Sequence, residues 1–145
     1  MPANFNPIFT ISPDVSNNGT TGFGGTLLTA TGDYTGVSAN HVLVHTAGAN
    51  GSYIRRLRFK AAGTTTNASV ARIYINNGSV NTTAANNIFY GEISLPGVTG
   101  TNTAASVDLD YPMDFAIDPS FRIYVGLGTT VTPNGWICTC IAGQY

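Results

Sequence analysis

Residues Ser52 to Asn77 read SYIRRLRFKAAGTTTNASVARIYINN, and the way this stretch folds constrains the arrangement of everything around it. Its first half alternates Tyr53, Arg55, Leu57 and Phe59 with Ile54, Arg56, Arg58 and Lys60. Its second half alternates Ala71, Ile73 and Ile75 with Val70, Arg72 and Tyr74. A period of two sends successive side chains to opposite faces, so each half reads as a strand with one buried face. The intervening AAGTTTNAS is polar and too short for a helical crossover. It predicts antiparallel strands, paired as a β-hairpin or as neighbours in a meander. Arg55, Arg56, Arg58 and Lys60 are four of the six basic residues in the chain, so the expected core and the main charge cluster coincide.

Outward from this stretch the same texture continues. TLLTAT, TGDYTGVSAN and HVLVHT precede it; IFYGEISL, ASVDLDY, MDFAI, FRIYVGLG, TTVTPNG and WICTCIA follow, separated by turn-forming residues. No segment carries a helical apolar period, and Gly and β-branched residues oppose helix throughout. Eight or nine short strands in 145 residues predict an all-β fold: a two-sheet antiparallel β-sandwich, jelly-roll-like in topology. An immunoglobulin-type sandwich is the competitor, weakened because Cys138 and Cys140 lie two apart rather than on separate strands.

The expected domain runs from 26 to 145, preceded by an extended N-terminal arm, 1–25. Pro2, Pro7, Pro13 and the run SNNGTTGFGG make this arm a poor source of regular structure. Its apolar residues Phe5, Ile8, Phe9 and Ile11 are expected to order against a neighbouring chain, because in water they gain nothing. Alternation places Val42, Val44, Leu57, Phe59, Ile73, Ile75, Phe89, Ile93, Leu95, Val107, Leu109, Phe121, Ile123, Val125 and Leu127 in the core. The last strand is apolar on both faces, with Trp136, Cys138 and Cys140 on one and Ile137 and Ile141 on the other. Either it is central in a sheet or one face, Trp136 included, meets another subunit.

Net charge is −1 and charged residues make up 9% of the chain, against about 25% in typical soluble domains. A surface of Thr, Asn, Ser and Gly is cheap to desolvate, which suits burial against neighbours. There is no electrostatic footprint for nucleic acid, and no apolar run long enough for a membrane span. MPANFNPIFTISPD lacks the basic and apolar regions of a secretory signal, so synthesis in a cytoplasm is expected. The N-x-S/T matches at Asn18, Asn67, Asn77 and Asn81 are then chance products of an Asn- and Thr-rich composition.

Candidate chemistry is sparse. His41 and His45 on one extended strand would stand about 13 Å apart, too far to share a metal ion. Cys138 and Cys140, about 7 Å apart with parallel side chains, read as buried free thiols. Asp108 and Asp110 lie on one strand face rather than across a cleft, and Arg56, Arg58 and Lys60 are their natural partners. No nucleophile-elbow, phosphate-loop or metalloprotease pattern occurs. The sequence therefore reads as a non-enzyme, with no catalytic, cofactor or metal residues to assign. Its candidate functional residues are those of an interface: Phe5, Ile8, Phe9, Ile11, Arg56, Arg58, Lys60 and Trp136.

The run GSYIRRLRFKAAGTTT at 51–66, followed by IFYGEISLPGV, DFAIDPSFRIYVGL and a terminal strand ending AGQY, resembles small β-sandwich structural proteins of tailed bacteriophages, including capsid decoration (cement) proteins. The resemblance covers about His45 to Tyr145. It implies a jelly-roll-like domain that forms a homotrimer on the outer surface of the phage head, binds the major capsid protein and staples its subunits together. It carries over no catalytic residue. The alternative is a tail or fibre sandwich that recognises host carbohydrate through aromatic side chains such as Tyr34, Tyr90, Tyr124 and Trp136. A glycan-cleaving depolymerase is disfavoured by size and by the missing acid pair.

Overall fold

A computed structural model describes residues 12–17, 20–21, 26–28, 32–37 and 39–145, the first three stretches as backbone. Twelve strands follow one another: β1 (Ser12–Asn17), β2 (Thr20–Thr21), β3 (Thr26–Leu28), β4 (Val42–Thr46), β5 (Ser52–Ala61), β6 (Thr65–Thr66), β7 (Ser69–Asn76), β8 (Asn87–Leu95), β9 (Val98–Thr99), β10 (Asp108–Ile117), β11 (Arg122–Leu127) and β12 (Trp136–Gln144). Among the described residues there is no α-helix, only a 3₁₀ turn at Ala84–Asn86. Every strand pair is antiparallel.

Two sheets face one another. The first runs β10–β5–β12–β1–β2, and β3 shares the far edge of β12 with β1. The second runs β4–β11–β7–β8. Between them lie Ile54, Leu57, Phe59, Trp136, Cys138 and Cys140 from the first sheet and Val44, Ala71, Ile73, Ile123, Val125 and Leu127 from the second, each fully buried. Burying side chains such as Leu57 and Phe59 contributes about 1.5–3 kcal/mol each. The all-β, two-sheet sandwich expected from the sequence is the fold.

The Ser52–Asn77 stretch is not a hairpin or a meander. β5 pairs with β10 and β12, whereas β7 pairs with β8 and β11, so the two strands belong to opposite sheets. The connecting segment arches across the sandwich, pinned by the Thr66 hydroxyl on the Ala62 carbonyl (2.9 Å), by Asn134 Nδ2 on the Thr65 carbonyl (2.8 Å) and by the β6–β9 pair. Strands side by side and strands face to face both bury one face, so alternation cannot separate these arrangements.

Strict alternation also fails at four places where the register shifts. In β5, Arg56 stands opposite Ile141 and Ile54 opposite Ala142, so Arg55 is an extra, bulged residue. Ile54, three positions before Leu57, therefore shares its inward face. Across from it β10 sets two residues, Met113 and Asp114, against the single Arg55. One of them, Asp114, has φ 49°, a left-handed conformation that Asp tolerates better than most residues. β4 slips at Val44, sending both Val44 and His45 inward. β8 slips at Tyr90, which puts Phe89 opposite Tyr74 on the outer face. Phe89 is consequently exposed, not core. Val107, the other misplaced core residue, is exposed because it precedes the last rung of β10, Asp108 opposite Lys60. Val42, Ile75, Ile93, Leu109 and Phe121 are partly buried and pack on the core.

Part of the segment read as an arm is in the sheet: Ser12–Ser16 pair with Cys140–Gln144, and Ser16 and Asn17 with Thr21 and Thr20. Pro13 stands near the start of β1, opposite Gly143 and away from the Ser16–Asn17 end that pairs with β2, a position in a strand that proline tolerates. Phe5, Ile8, Phe9 and Ile11 lie outside the described residues.

The bulge makes a specific prediction. Deleting Arg55 should retain a folded sandwich, since Ile54 and Leu57 would become two apart and both stay inward, at a cost of about 1–2 kcal/mol. Deleting Arg58 should abolish cooperative unfolding, because it turns Phe59 outward and Lys60 into the core. Urea unfolding followed by circular dichroism distinguishes the two.

Candidate functional site

The outer face of the first sheet carries the charge cluster. β5 turns Arg56, Arg58 and Lys60 outward, and β10 turns Asp108 and Asp110 outward beside them. Arg56 Nη1 lies 3.2 Å from Asp110 Oδ2, Arg58 Nη2 2.7 Å from Asp108 Oδ2, and Lys60 Nζ 2.9 Å from Asp108 Oδ1. Lys60 also donates to the Ser106 carbonyl at 3.0 Å. In register, Asp110 stands opposite Arg58 and Asp108 opposite Lys60, so the two arginines lean diagonally to reach their carboxylates. Hydrogen bonds from Lys60 and then Arg58 hold the Asp108 carboxyl below the usual carboxylate range. The cations singled out from the sequence are thus a ladder of both signs, not a bare basic patch.

Next to the ladder runs the outward face of β12, where Ile137, Thr139 and Ile141 stand opposite Lys60, Arg58 and Arg56, all half-buried. β12 is the central strand, which accounts for its two apolar faces. Trp136 is fully buried, its Nε1 donating to the Asn67 carbonyl at 3.3 Å. This corrects the expectation that Trp136 meets another subunit, since no surface of the side chain is accessible. Cys138 and Cys140 are free buried thiols, and burial, with Cys140 adjacent, pushes the Cys138 thiol well up. At the bulged end of the ladder, Arg55, Arg56, Asp110, Pro112 and Asp114 line a shallow depression of about 290 Å³. Tyr53 Oη donates to Asp114 Oδ1 across it at 3.4 Å.

The outer face of the second sheet is covered differently. Residues 32–37 and 39–41 fold over it. The Tyr74 hydroxyl donates to the Asp33 carbonyl, the Asp33 N–H donates to His41 Nε2 at 3.2 Å, and the His41 ring packs 4.7 Å from Tyr74. His41 seats directly on Gly126, where a Cβ would come within 2.1 Å of its ring. Burial pushes the Tyr74 phenol up to about 12, with Arg72 opposing. Burial also raises the Asp33 carboxyl, but hydrogen bonds from Thr35 and Gly36, with His41 nearby, outweigh it and leave the carboxyl below its ordinary value. Asn87 ties this loop to the next one, donating from Nδ2 to the Gly36, Asn81 and Thr83 carbonyls and accepting from Asn76 at 2.8 Å.

An aromatic ridge borders this cover. Arg72 stacks 3.7 Å from the Tyr34 ring centroid, with its Nε 3.9 Å from Glu92. Phe89 meets Tyr34 edge-on at 5.8 Å and Tyr74 at 5.5 Å. The bulge swings Tyr90 to the other side of β8, against Phe115 (5.1 Å) and Tyr111 (6.2 Å) of β10, so that it bridges the edges of the two sheets. Tyr34, Phe89, Tyr90 and their neighbour Ile88 are 61, 42, 40 and 63% exposed. Of the aromatics named as a sugar platform, Tyr34 and Tyr90 are therefore accessible, Tyr124 is half-buried and Trp136 is enclosed. Phe89 escaped the sequence reading because nothing in IFYGEISL announces the bulge.

Among the described residues no three His, Cys, Asp or Glu side chains gather as a metal site. Comparison with protein-family models, with curated proteins and with solved structures finds no match to this chain.

Double-mutant cycles should show coupling of about 0.2–1 kcal/mol between Arg56 and Asp110, and none between Arg58 and Asp110, which are opposite in register but unpaired. Because the Asp108 carboxyl is lowered in the folded state, its contribution is present above the unfolded value and is lost as pH falls through the folded one. Asp108→Asn should flatten the acid limb of the stability profile below about pH 4, measured as thermal midpoint against pH.

Proposed function

We propose that this chain is a virion structural protein, a decoration (cement) protein that sits on the outer surface of a phage head, binds the major capsid protein and reinforces contacts between its subunits as a homotrimer. The observation that carries this is where the Gly51–Thr66 run lies. The residues that resemble phage structural proteins form strand β5 and its arch, and the same strand supplies Arg56, Arg58 and Lys60 to the accessible ladder. A face with both charge signs beside half-buried Ile137 and Ile141 suits docking on a protein shell. Its paired charges give register and specificity more than affinity. The host cytoplasm is then the place of synthesis and the particle the place of function.

A second reading, host-carbohydrate recognition on a tail or fibre, is favoured by one observation: Tyr34 and Tyr90 are both exposed, with Phe89 edge-on to Tyr34. Particles lacking the protein, mixed with purified chain and recovered by sedimentation, separate these readings. The head role predicts copy numbers comparable to those of the capsid subunit and greater resistance of particles to heat, with unchanged adsorption to cells. Binding of only a few copies, with loss of adsorption in their absence, would support the tail role. Charge reversal at Arg56 and Arg58 together should lower head occupancy at least about tenfold, the effect of losing roughly 1.4 kcal/mol.

A further inference from the structure

Building on that assembly role, we propose that copies of this chain meet through the β8 edge of the second sheet, where Ile88, Phe89 and Tyr90, with Tyr34 and Val80 beside them, are covered by a second copy. The two outer strands on this side of the sandwich are treated very differently. β10 carries Pro112, a bulge and the acids Asp108, Asp110 and Asp114, all features that discourage another strand or apolar surface from docking. β8 has one bulge, at Tyr90, and is otherwise less protected. Among the described residues it pairs on one side only, with β7, and its nine residues hold no proline and a single charge, Glu92, already within 3.9 Å of Arg72.

The ridge is also held in shape before any partner arrives. Tyr90 packs on Tyr111 and Phe115, Tyr34 on Arg72, and the Val80 loop is fixed by Asn86 Nδ2 on the Val80 carbonyl at 2.9 Å. Little conformational freedom remains to be lost on association. With Val80 64% exposed and the other four between 40 and 63%, the ridge offers on the order of 500 Å² per copy at aromatic side-chain areas of about 150–250 Å². Two copies together reach about 1,000 Å², the threshold for a specific interface, before any backbone is counted.

The chemistry selects the occupant. A sugar stacks on aromatic faces, but Ile88 and Val80 are aliphatic, the two most exposed side chains of the patch, and they gain only from being covered by apolar groups. A strongly charged partner finds one acid and no unpaired cation on β8. A second copy brings the same neutral ridge, so apolar groups meet without like charges facing each other.

Light scattering on the full chain at micromolar concentration tests this. The expected result is an oligomer whose self-association weakens at least about tenfold in Ile88→Lys, and likewise in Val80→Lys. Circular dichroism should stay native in both variants, since neither side chain is in the core. Arg58→Gln, on the opposite sheet, should leave the mass unaltered. A wild-type protein that is a single chain under these conditions overturns the inference, as does an oligomer indifferent to both lysine variants. So does saturable sugar binding to the ridge of a single chain, which would favour the tail reading. An oligomer that fails to bind particles counts against the decoration role alone, and a single chain that still binds them counts against this inference alone.

Discussion

The pairing of β5 with β12 is the interaction on which the rest of the sandwich hangs. It runs from Trp136 opposite Ala61 to Gln144 opposite Ser52, and its inward side chains, Ile54, Leu57 and Phe59 with Trp136, Cys138 and Cys140, form one wall of the core. β10 attaches to the outer side of β5; β1 and β3 attach to the outer side of β12. Each of these strands has its main neighbour in this pair. Loosening it would expose the second sheet's Ile73, Ile123 and Val125 as well, because they share one core with it. Each lost large side chain costs about 2–5 kcal/mol when truncated, a large fraction of the whole stability of a domain this size.

Much of this was legible in residue order. Alternation identified the strands and most of the inward side chains, and the spacing of Arg56, Arg58, Asp108 and Asp110 placed opposite charges within reach of each other. What alternation does not encode is which strand lies next to which. β5 and β7 were read as partners because a short polar connection suits a hairpin, and the same seven-residue link also spans the roughly 10 Å between stacked sheets. Bulges were equally hidden. Arg55 looks like one more member of an alternating run, yet it is the residue that resets the phase. The burial of Tyr74 had a faint local signal: an Asp33-x-Thr35-Gly36 turn upstream and a glycine, Gly126, in a strand otherwise made of bulky residues. A missing side chain in the middle of a strand often marks where another group must approach closely, and here it is His41.

The ladder and the aromatic ridge belong to different sheets, so their outer faces point away from one another and occupation of one leaves the other open. They also respond to different conditions. The ladder weakens in salt and in acid, whereas the ridge, with one carboxylate among five apolar side chains, answers chiefly to temperature and to solutes that alter the hydrophobic effect. Sequence change on either sheet can therefore alter one surface without the other.

The central place of β12 has a consequence for how the chain acquires its structure. β12 follows every other strand in the sequence, yet it fills the gap between β5 and the pair β1 and β3. On a ribosome, the second sheet can begin to assemble once β11 has emerged. The first sheet must wait, with one edge of β5 open until partners 75 to 92 residues further along the chain arrive. Contacts of such separation slow folding because the loop must close before it is rewarded. The interval before β12 arrives is the time when apolar β5 is open to pairing with other nascent chains. Arg55, Arg56, Arg58 and Lys60, concentrated on this strand, give it a charge density found nowhere else in the molecule, and like charges on waiting copies of β5 repel. A cluster that serves as half of a ladder in the finished sandwich thus also discourages premature partners while the sandwich is being made.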